Sequence, residues 1–170
     1  STAEYPAYYG KAQEKLAREQ RKLSHCEKGS KNYAKQKKKV AVCHEKVKNR
    51  RRDFHHKLSR RIADRYDIIA VEDLDMKEMS RNMHFGKSVM DNGYGMFLTL
   101  LEYKLTEQGK QLVKVNRYFP SSKMCSVCGR IKADLKLSDR VYRCCCGNIM
   151  DRDVNAAVNI RNEAYRQISA

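Results

Sequence analysis

A chain of 170 residues with 36 Lys/Arg against 20 Asp/Glu carries a formal charge of +16, seven cysteines, two prolines and no tryptophan. That length holds one domain, or one with a small appendage, and that charge favours a polyanionic partner and disfavours a basic one. No apolar run approaches the roughly 20 residues that cross a bilayer, and no secretory leader opens the sequence, which argues against a membrane protein and for a cytoplasmic, nucleoid-associated one.

The charge is uneven: residues 1–66 hold 20 Lys/Arg against 7 Asp/Glu. Residues 1–9, with Tyr5, Tyr8 and Tyr9, read as an irregular entry. From Gly10 to Glu27, Ala12, Leu16, Glu19 and Leu23 recur at helical steps, and Gly29-Ser30 breaks the pattern. Ser30 can cap a second helix reaching about Tyr66, with Tyr33, Val40, Cys43, Val47, Phe54, Leu58 and Ile62 spaced much like a heptad. At 1.5 Å per residue it would run about 50 Å, and the two helices are expected to pair as an antiparallel hairpin with basic outer faces.

Asp67 to Glu72 is a continuous apolar run, the mark of a buried strand. Residues 75–87 read as loop, Met90 to Gln108 as helix with Gly109 as its cap, and Gln111 to Asn116 as a second strand. Strand, crossover helix and strand make a βαβ unit, so the two strands should be parallel. A ribbon spans 121–150 and a last helix runs from Asp153 to about Arg166.

The cysteines carry the clearest chemistry. Cys125-Ser-Val-Cys128-Gly129 and Cys144-Cys145-Cys146-Gly147 are separated by residues 129–143. A tight Cys-x-x-Cys-Gly turn supplies two thiolates, and two such knuckles build the tetrahedral site that Zn2+ prefers. An odd count, with five cysteines clustered, argues against a disulfide framework. Three cysteines compete for two places in the second knuckle. Cys144 with Cys146 is favoured, because Cys146-Gly147 repeats the first Cys-Gly pair; Cys145 is the alternative to Cys144. Cys26 and Cys43 are expected to pack within the hairpin.

Two acidic residues stand out. Glu72 ends an apolar strand, at the carboxyl edge of a parallel sheet where α/β proteins place ligands, although it could be a surface acid. Asp153 opens the last helix, where it could serve only as an N-cap. Two carboxylates from distant elements on so basic a chain fit a divalent-metal site for phosphodiester hydrolysis. Asp151 is a weaker candidate for that site, and Arg152 could approach a phosphate. Lys35, Lys37, Lys38, Lys39, Lys46, Lys48, Arg50, Arg51 and Arg52 offer phosphate contacts along one helix, with a solvated helix face as the bland alternative.

Together Lys28-Gly29-Ser30-Lys31-Asn32-Tyr33, Arg51-Arg52-Asp53-Phe54-His55-His56-Lys57-Leu58, Ile68 to Leu74, Ser121 to Gly129 and Asp151 to Ile160 resemble the C-terminal part of the TnpB (OrfB) proteins of bacterial insertion sequences. Those are similar to the RuvC-like nuclease of type V CRISPR effectors. The resemblance implies a partial RNase H-like (RuvC) α/β core, with a basic helical hairpin (1–66), a strand-helix-strand segment (67–120), an inserted zinc ribbon (121–150) and the last core helix (151–170). It implies DNA cleavage guided by a transposon-derived RNA, using Mg2+ held by Glu72 and Asp153, with structural Zn2+ on Cys125, Cys128 and Cys146. The family's usual fourth ligand falls at Arg143, a departure that Cys144 would repair.

The family's first catalytic aspartate lies on a strand upstream of the hairpin, and nothing in residues 1–10 matches it. The resulting expectation is a fragment that is catalytically incomplete, with DNA as partner and guide RNA as partner of the complete protein. A nuclease-dead nucleic-acid-binding module is the alternative, and self-association through an exposed sheet edge is a further expectation.

Overall fold

The computed structural model describes residues 7–75, 93–136 and 138–170, so most of the loop expected over 75–87, and the expected start of the following helix at Met90, lie outside the described residues. The chain divides into two compact units, Ser1–Arg61 and Ile62–Ala170.

The first unit is helical. Helix α1 (Ala7–Ser24) starts three residues before the expected position and stops three earlier, where Cys26 N–H turns back to the Leu23 carbonyl. Ser30 caps helix α2 (Lys31–Arg65) as expected, its Oγ accepting from Tyr33 N–H at 3.0 Å. Gln36, Val40, Cys43 and Val47 are buried at alternating four- and three-residue steps, which keeps them on one stripe of α2. The two helices are joined by polar contacts as well: Gln36 Nε2 donates to the Glu19 carbonyl at 3.0 Å and to its carboxylate at 2.7 Å. Gln20 meets His44 at 3.1 Å.

The second unit is built on a parallel pair, β1 (Ile68–Glu72) and β2 (Gln111–Val115), with Ile68 opposite Gln111 and Glu72 opposite Val115. Helix α3 (Tyr94–Glu107) makes the crossover. It ends as its sequence dictates: Gly109 takes φ 67°, Lys110 N–H reaches the Leu105 carbonyl at 2.8 Å and Gly109 N–H that of Thr106 at 3.0 Å. This paired closure needs a left-handed residue, which glycine adopts without strain. Ala63, Leu101 and Leu105 form the core, with Ile62, Ile69, Phe97 and Leu112 against them. Lys110 strengthens that join, donating to the Ala63 carbonyl at 2.6 Å.

Ile69 and Leu112 are register partners facing this core; by the two-residue alternation of strands, Ala70, Glu72, Val113 and Val115 turn to the opposite face. A short antiparallel hairpin, β3 (Val141–Arg143) and β4 (Ile149–Asp151), follows, and helix α4 (Arg152–Ile168) closes the unit. Helix α4 packs on β1 and β2 and on both hairpin strands. Among the described residues the architecture is thus mixed helix and sheet, with a cysteine-bearing ribbon inserted before the last helix.

Candidate functional site

The ribbon folds around Tyr142, which is fully buried; its hydroxyl donates to the Lys123 carbonyl at 3.0 Å and lies 3.4 Å from that of Arg130. Those two acceptors flank the first knuckle, so one aromatic ring fixes its position from below. Each knuckle closes by the same backbone logic. Gly129 N–H bonds to the Cys125 carbonyl at 2.9 Å and Gly147 N–H to that of Cys144 at 3.1 Å, both glycines having positive φ.

The sulfurs of Cys125, Cys128, Cys144 and Cys146 all lie within 4.8 Å of one another. Cys125 and Cys146 are 3.7 Å apart and Cys128 and Cys144 3.6 Å apart. A metal–thiolate bond of about 2.3 Å implies a tetrahedron edge of about 3.8 Å, so the quartet has the dimensions to hold such a metal ion. Cys145 lies outside it: its Sγ accepts from Arg130 Nη1 at 2.7 Å and is 4.0 Å from that of Cys144. The quartet thus takes in Cys144 and leaves out Cys145.

The thiols differ in their hold on protons. Burial alone would raise Cys125, but the N–H groups of Cys128 and Val127 and the Asn148 amide favour its thiolate and bring it down to about 6. At Cys146 the Asn148 N–H favours the thiolate, yet burial and the three neighbouring sulfurs outweigh it and push the thiol up to about 12. Four thiolates cannot crowd together without a cation between them, the electrostatic signature of a metal-binding site.

Helix α4 clamps the first knuckle through two asparagines one turn apart. Asn155 is fully buried, donates to the Met124 carbonyl at 2.7 Å and accepts from Ser126 N–H at 3.0 Å. Asn159 Nδ2 reaches the same Met124 carbonyl at 2.7 Å and that of Ser121 at 2.8 Å. Sequence reasoning singled out neither asparagine as a ligand or catalytic group; an i, i+4 pair of amides within the otherwise Ala/Val/Ile run 154–160 was the available signal.

Glu72 is half-buried at the end of β1, and its Oε1 accepts from the Ser121 hydroxyl. Oε2 has no hydrogen bond among the described residues. Tyr94, at the start of α3, is raised above the usual phenol range by burial and by the charges of Glu72 and Asp73, which places it within their field. Neither Ser121 nor Tyr94 was singled out by sequence reasoning.

At the start of α4 it is Asp151 that caps, its Oδ1 accepting from Asp153 N–H at 2.8 Å and Val154 N–H at 3.1 Å. The helix begins at Arg152, one residue earlier than expected, so the Asp153 carboxylate is exposed in the first turn, with no partner among the described residues. Arg152, expected to be able to reach a phosphate, instead donates to the Lys136 and Asp139 carbonyls at 3.1 and 3.3 Å. Glu72 and Asp153 thus stand on elements packed against each other. Among the described residues, the cysteine quartet is the one group of three or more His, Cys, Asp or Glu side chains close enough to hold a metal ion.

In the first unit, Lys35, Lys37, Lys38, Lys39, Lys46 and Lys48 are exposed, Lys39 within the field of Glu19. Arg50 and Arg52 are exposed beside them, and Arg51 is half-buried.

Comparison with known proteins bears on this arrangement. The OrfB family of IS605, described as a probable transposase, matches residues 1–83, and the Cas12f1-like TNB domain family matches 94–160. A Streptomyces pristinaespiralis protein named as a candidate RNA-guided DNA endonuclease is 39% identical over 155 residues, covering 91% of this chain and 39% of that protein. A TnpB-like protein of Acanthamoeba polyphaga mimivirus is 35% identical over 127 residues, covering 69% of this chain and 23% of that one. The chain belongs to the TnpB (OrfB) family.

This TnpB-family chain spans about two fifths of the length of the Streptomyces relative. Its fold is that of part of Cas12f1 in a complex with guide RNA and target DNA: the TM-score is 0.66 at 21% identity, covering 95% of this chain and 44% of Cas12f1. No helix among the described residues is long and apolar enough to cross a membrane.

Proposed function

We propose that the chain forms the RuvC-like, RNase H-type part of an RNA-guided DNA endonuclease, with Glu72 and Asp153 as two of its catalytic carboxylates and Zn2+ on the cysteine quartet. The observation that carries this is the shared anchorage of the two acids. Glu72 is held by Ser121 at the entry to the first knuckle, and α4, which carries Asp153, clamps the same segment through Asn159.

The donor sets fit the ions proposed for them. Four thiols suit a soft ion such as Zn2+, whereas Mg2+ prefers carboxylate oxygens and water. Glu72 keeps Oε2 without a hydrogen bond and Asp153 keeps both oxygens, because Asp151 does the capping. Bound divalent ions would supply water activation and stabilisation of the leaving oxygen. The chain's own task would be to hold those carboxylates at a fixed spacing. The exposed lysines of α2 would add phosphate contacts for DNA and for the guide RNA.

The test combines metal binding with cleavage. Mn2+ binding is measured by electron paramagnetic resonance with zinc saturating, and magnesium-dependent cleavage is followed on labelled single- and double-stranded DNA. Glu72→Ala and Asp153→Ala should each weaken Mn2+ binding and abolish any cleavage, while zinc stays at one equivalent. Cleavage that survives Glu72→Ala would overturn the assignment.

The exposed lysines also favour a second reading, a module that binds nucleic acid without cutting it. It predicts salt-sensitive binding, losing about 0.7 to 0.9 log–log units per phosphate neutralised, with no response to either carboxylate substitution.

A further inference from the structure

We propose that Ser121 is a positioning residue for Glu72, and that through it the cysteine metal centre and the carboxylate site form one mechanical unit. The inference rests on the reading of Glu72 as a metal ligand and goes beyond it. It assigns a role to a residue that is neither an acid nor a zinc ligand.

Ser121 is only 5% exposed. Its hydroxyl donates to Glu72 Oε1, 49 residues away in sequence, and its carbonyl accepts from Asn159 Nδ2 at 2.8 Å. The serine is therefore held at both ends: β1 receives its side chain and α4 grips its backbone. Asn159 also bonds the Met124 carbonyl at 2.7 Å, adjacent to the first thiol of the quartet, and Asn155 adds a second bond there at 2.7 Å. Three residues, Ser122 to Met124, thus separate the carboxylate's donor from a metal-binding thiol, and both ends of that segment are fixed to one helix.

A hydroxyl donating to one carboxylate oxygen restricts rotation of the group and directs the other oxygen. Oε2 is the one without a hydrogen bond among the described residues. A carboxylate that ligates through a pre-set oxygen loses less freedom on binding, and removing such an outer partner typically weakens metal affinity about 10–100-fold. Alanine at position 121 removes the hydroxyl and leaves the backbone grip of Asn159 in place, so this substitution should spare the ribbon.

The experiment measures Mn2+ affinity by electron paramagnetic resonance on the full chain. Four proteins are compared with zinc bound: the parent chain, Ser121→Ala, Glu72→Gln, and the double variant. Ser121→Ala should weaken Mn2+ binding by about tenfold or more, with zinc stoichiometry unchanged and the thermal midpoint lowered by no more than the loss of one hydrogen bond accounts for. In the Glu72→Gln background the same substitution should have no further effect.

Stripping zinc with a chelator extends the test. It should weaken Mn2+ binding in the parent chain, and weaken it much less in Ser121→Ala, where the link is already cut. Unchanged Mn2+ affinity in Ser121→Ala, beside a loss in Glu72→Gln, would overturn this inference alone. No response to Glu72→Gln would overturn the carboxylate reading on which it stands. Equal losses on zinc removal in the parent chain and in Ser121→Ala would refute the coupling between the two centres.

Discussion

Replacing Asn155 with alanine should destabilise the second unit by about 2–4 kcal/mol, and the size follows from counting partners. The side chain is fully buried and makes two hydrogen bonds, one donated to the Met124 carbonyl at 2.7 Å and one accepted from Ser126 N–H at 3.0 Å. The two losses are unequal. Met124 keeps Asn159 Nδ2 at 2.7 Å, so its carbonyl stays satisfied and that loss is about 1 kcal/mol. The Ser126 amide, in a half-buried turn, loses the partner that Asn155 gives it, and leaving a donor shielded from water unmade costs about 1–3 kcal/mol.

Aspartate at the same position separates hydrogen bonding from packing. It keeps the acceptor for Ser126 but turns a second oxygen toward the Met124 carbonyl beside four thiols. At pH 7 it should be at least as damaging as alanine, despite its near-identical shape. Urea unfolding followed by circular dichroism, with zinc saturating, measures both variants. At the usual urea sensitivity of about 1–3 kcal/mol per molar, the alanine midpoint should fall by on the order of 1–2 M. An alanine midpoint within experimental error of the parent, or an aspartate variant as stable as the parent, would refute the partner count.

Three further outcomes follow from the geometry. Cys145→Ser should leave metal content at one equivalent, whereas Cys144→Ser should weaken binding by more than the roughly 10–100-fold of an outer-shell change; competition against a chelator checks both. Metal affinity should rise with pH, because Cys146, pushed up to about 12, and Cys128, also raised, still carry protons at neutral pH and must release them. The rise should steepen below pH about 6, where Cys125 must lose its proton too, as a chelator titration from pH 5 to 8 would show. Leu101→Ala should lower stability by about 2–5 kcal/mol, since Leu101 is 1% exposed and central to the cluster of Ala63 and Leu105; thermal unfolding checks it.

Local chemistry explains which features were legible from the residues alone. Ser30 capping α2, Gly109 closing α3 and the two Cys-Gly knuckles each depend on residues within one turn of one another, so their spacing suffices. The parallel pairing of β1 and β2 was legible for a related reason: two apolar runs joined by a crossover helix have few other ways to meet. The asparagine clamp depends instead on carbonyls 31 to 38 residues distant in sequence. Nothing near Asn159 announces that partner, and Ser121 likewise gives no local sign that its hydroxyl reaches Glu72.

The two aspartates before α4 mark the limit most clearly. Asp151 and Asp153 stand two residues apart, and either could cap a helix whose start is uncertain by one or two positions. A helix beginning after Asp153 would consume that carboxylate in capping. Beginning at Arg152, it commits Asp151 to two backbone amides and leaves Asp153 in the first turn, where the positive end of the helix favours a negative charge. The division of labour follows from the hairpin: β4 runs through Asp151, and Arg152 N–H bonds the Arg140 carbonyl at 2.9 Å, so the chain turns into helix there and not two residues later. The ribbon therefore does more than bring four thiols together. Its last strand fixes which acid caps the helix, and hence which one is left with its oxygens free of capping.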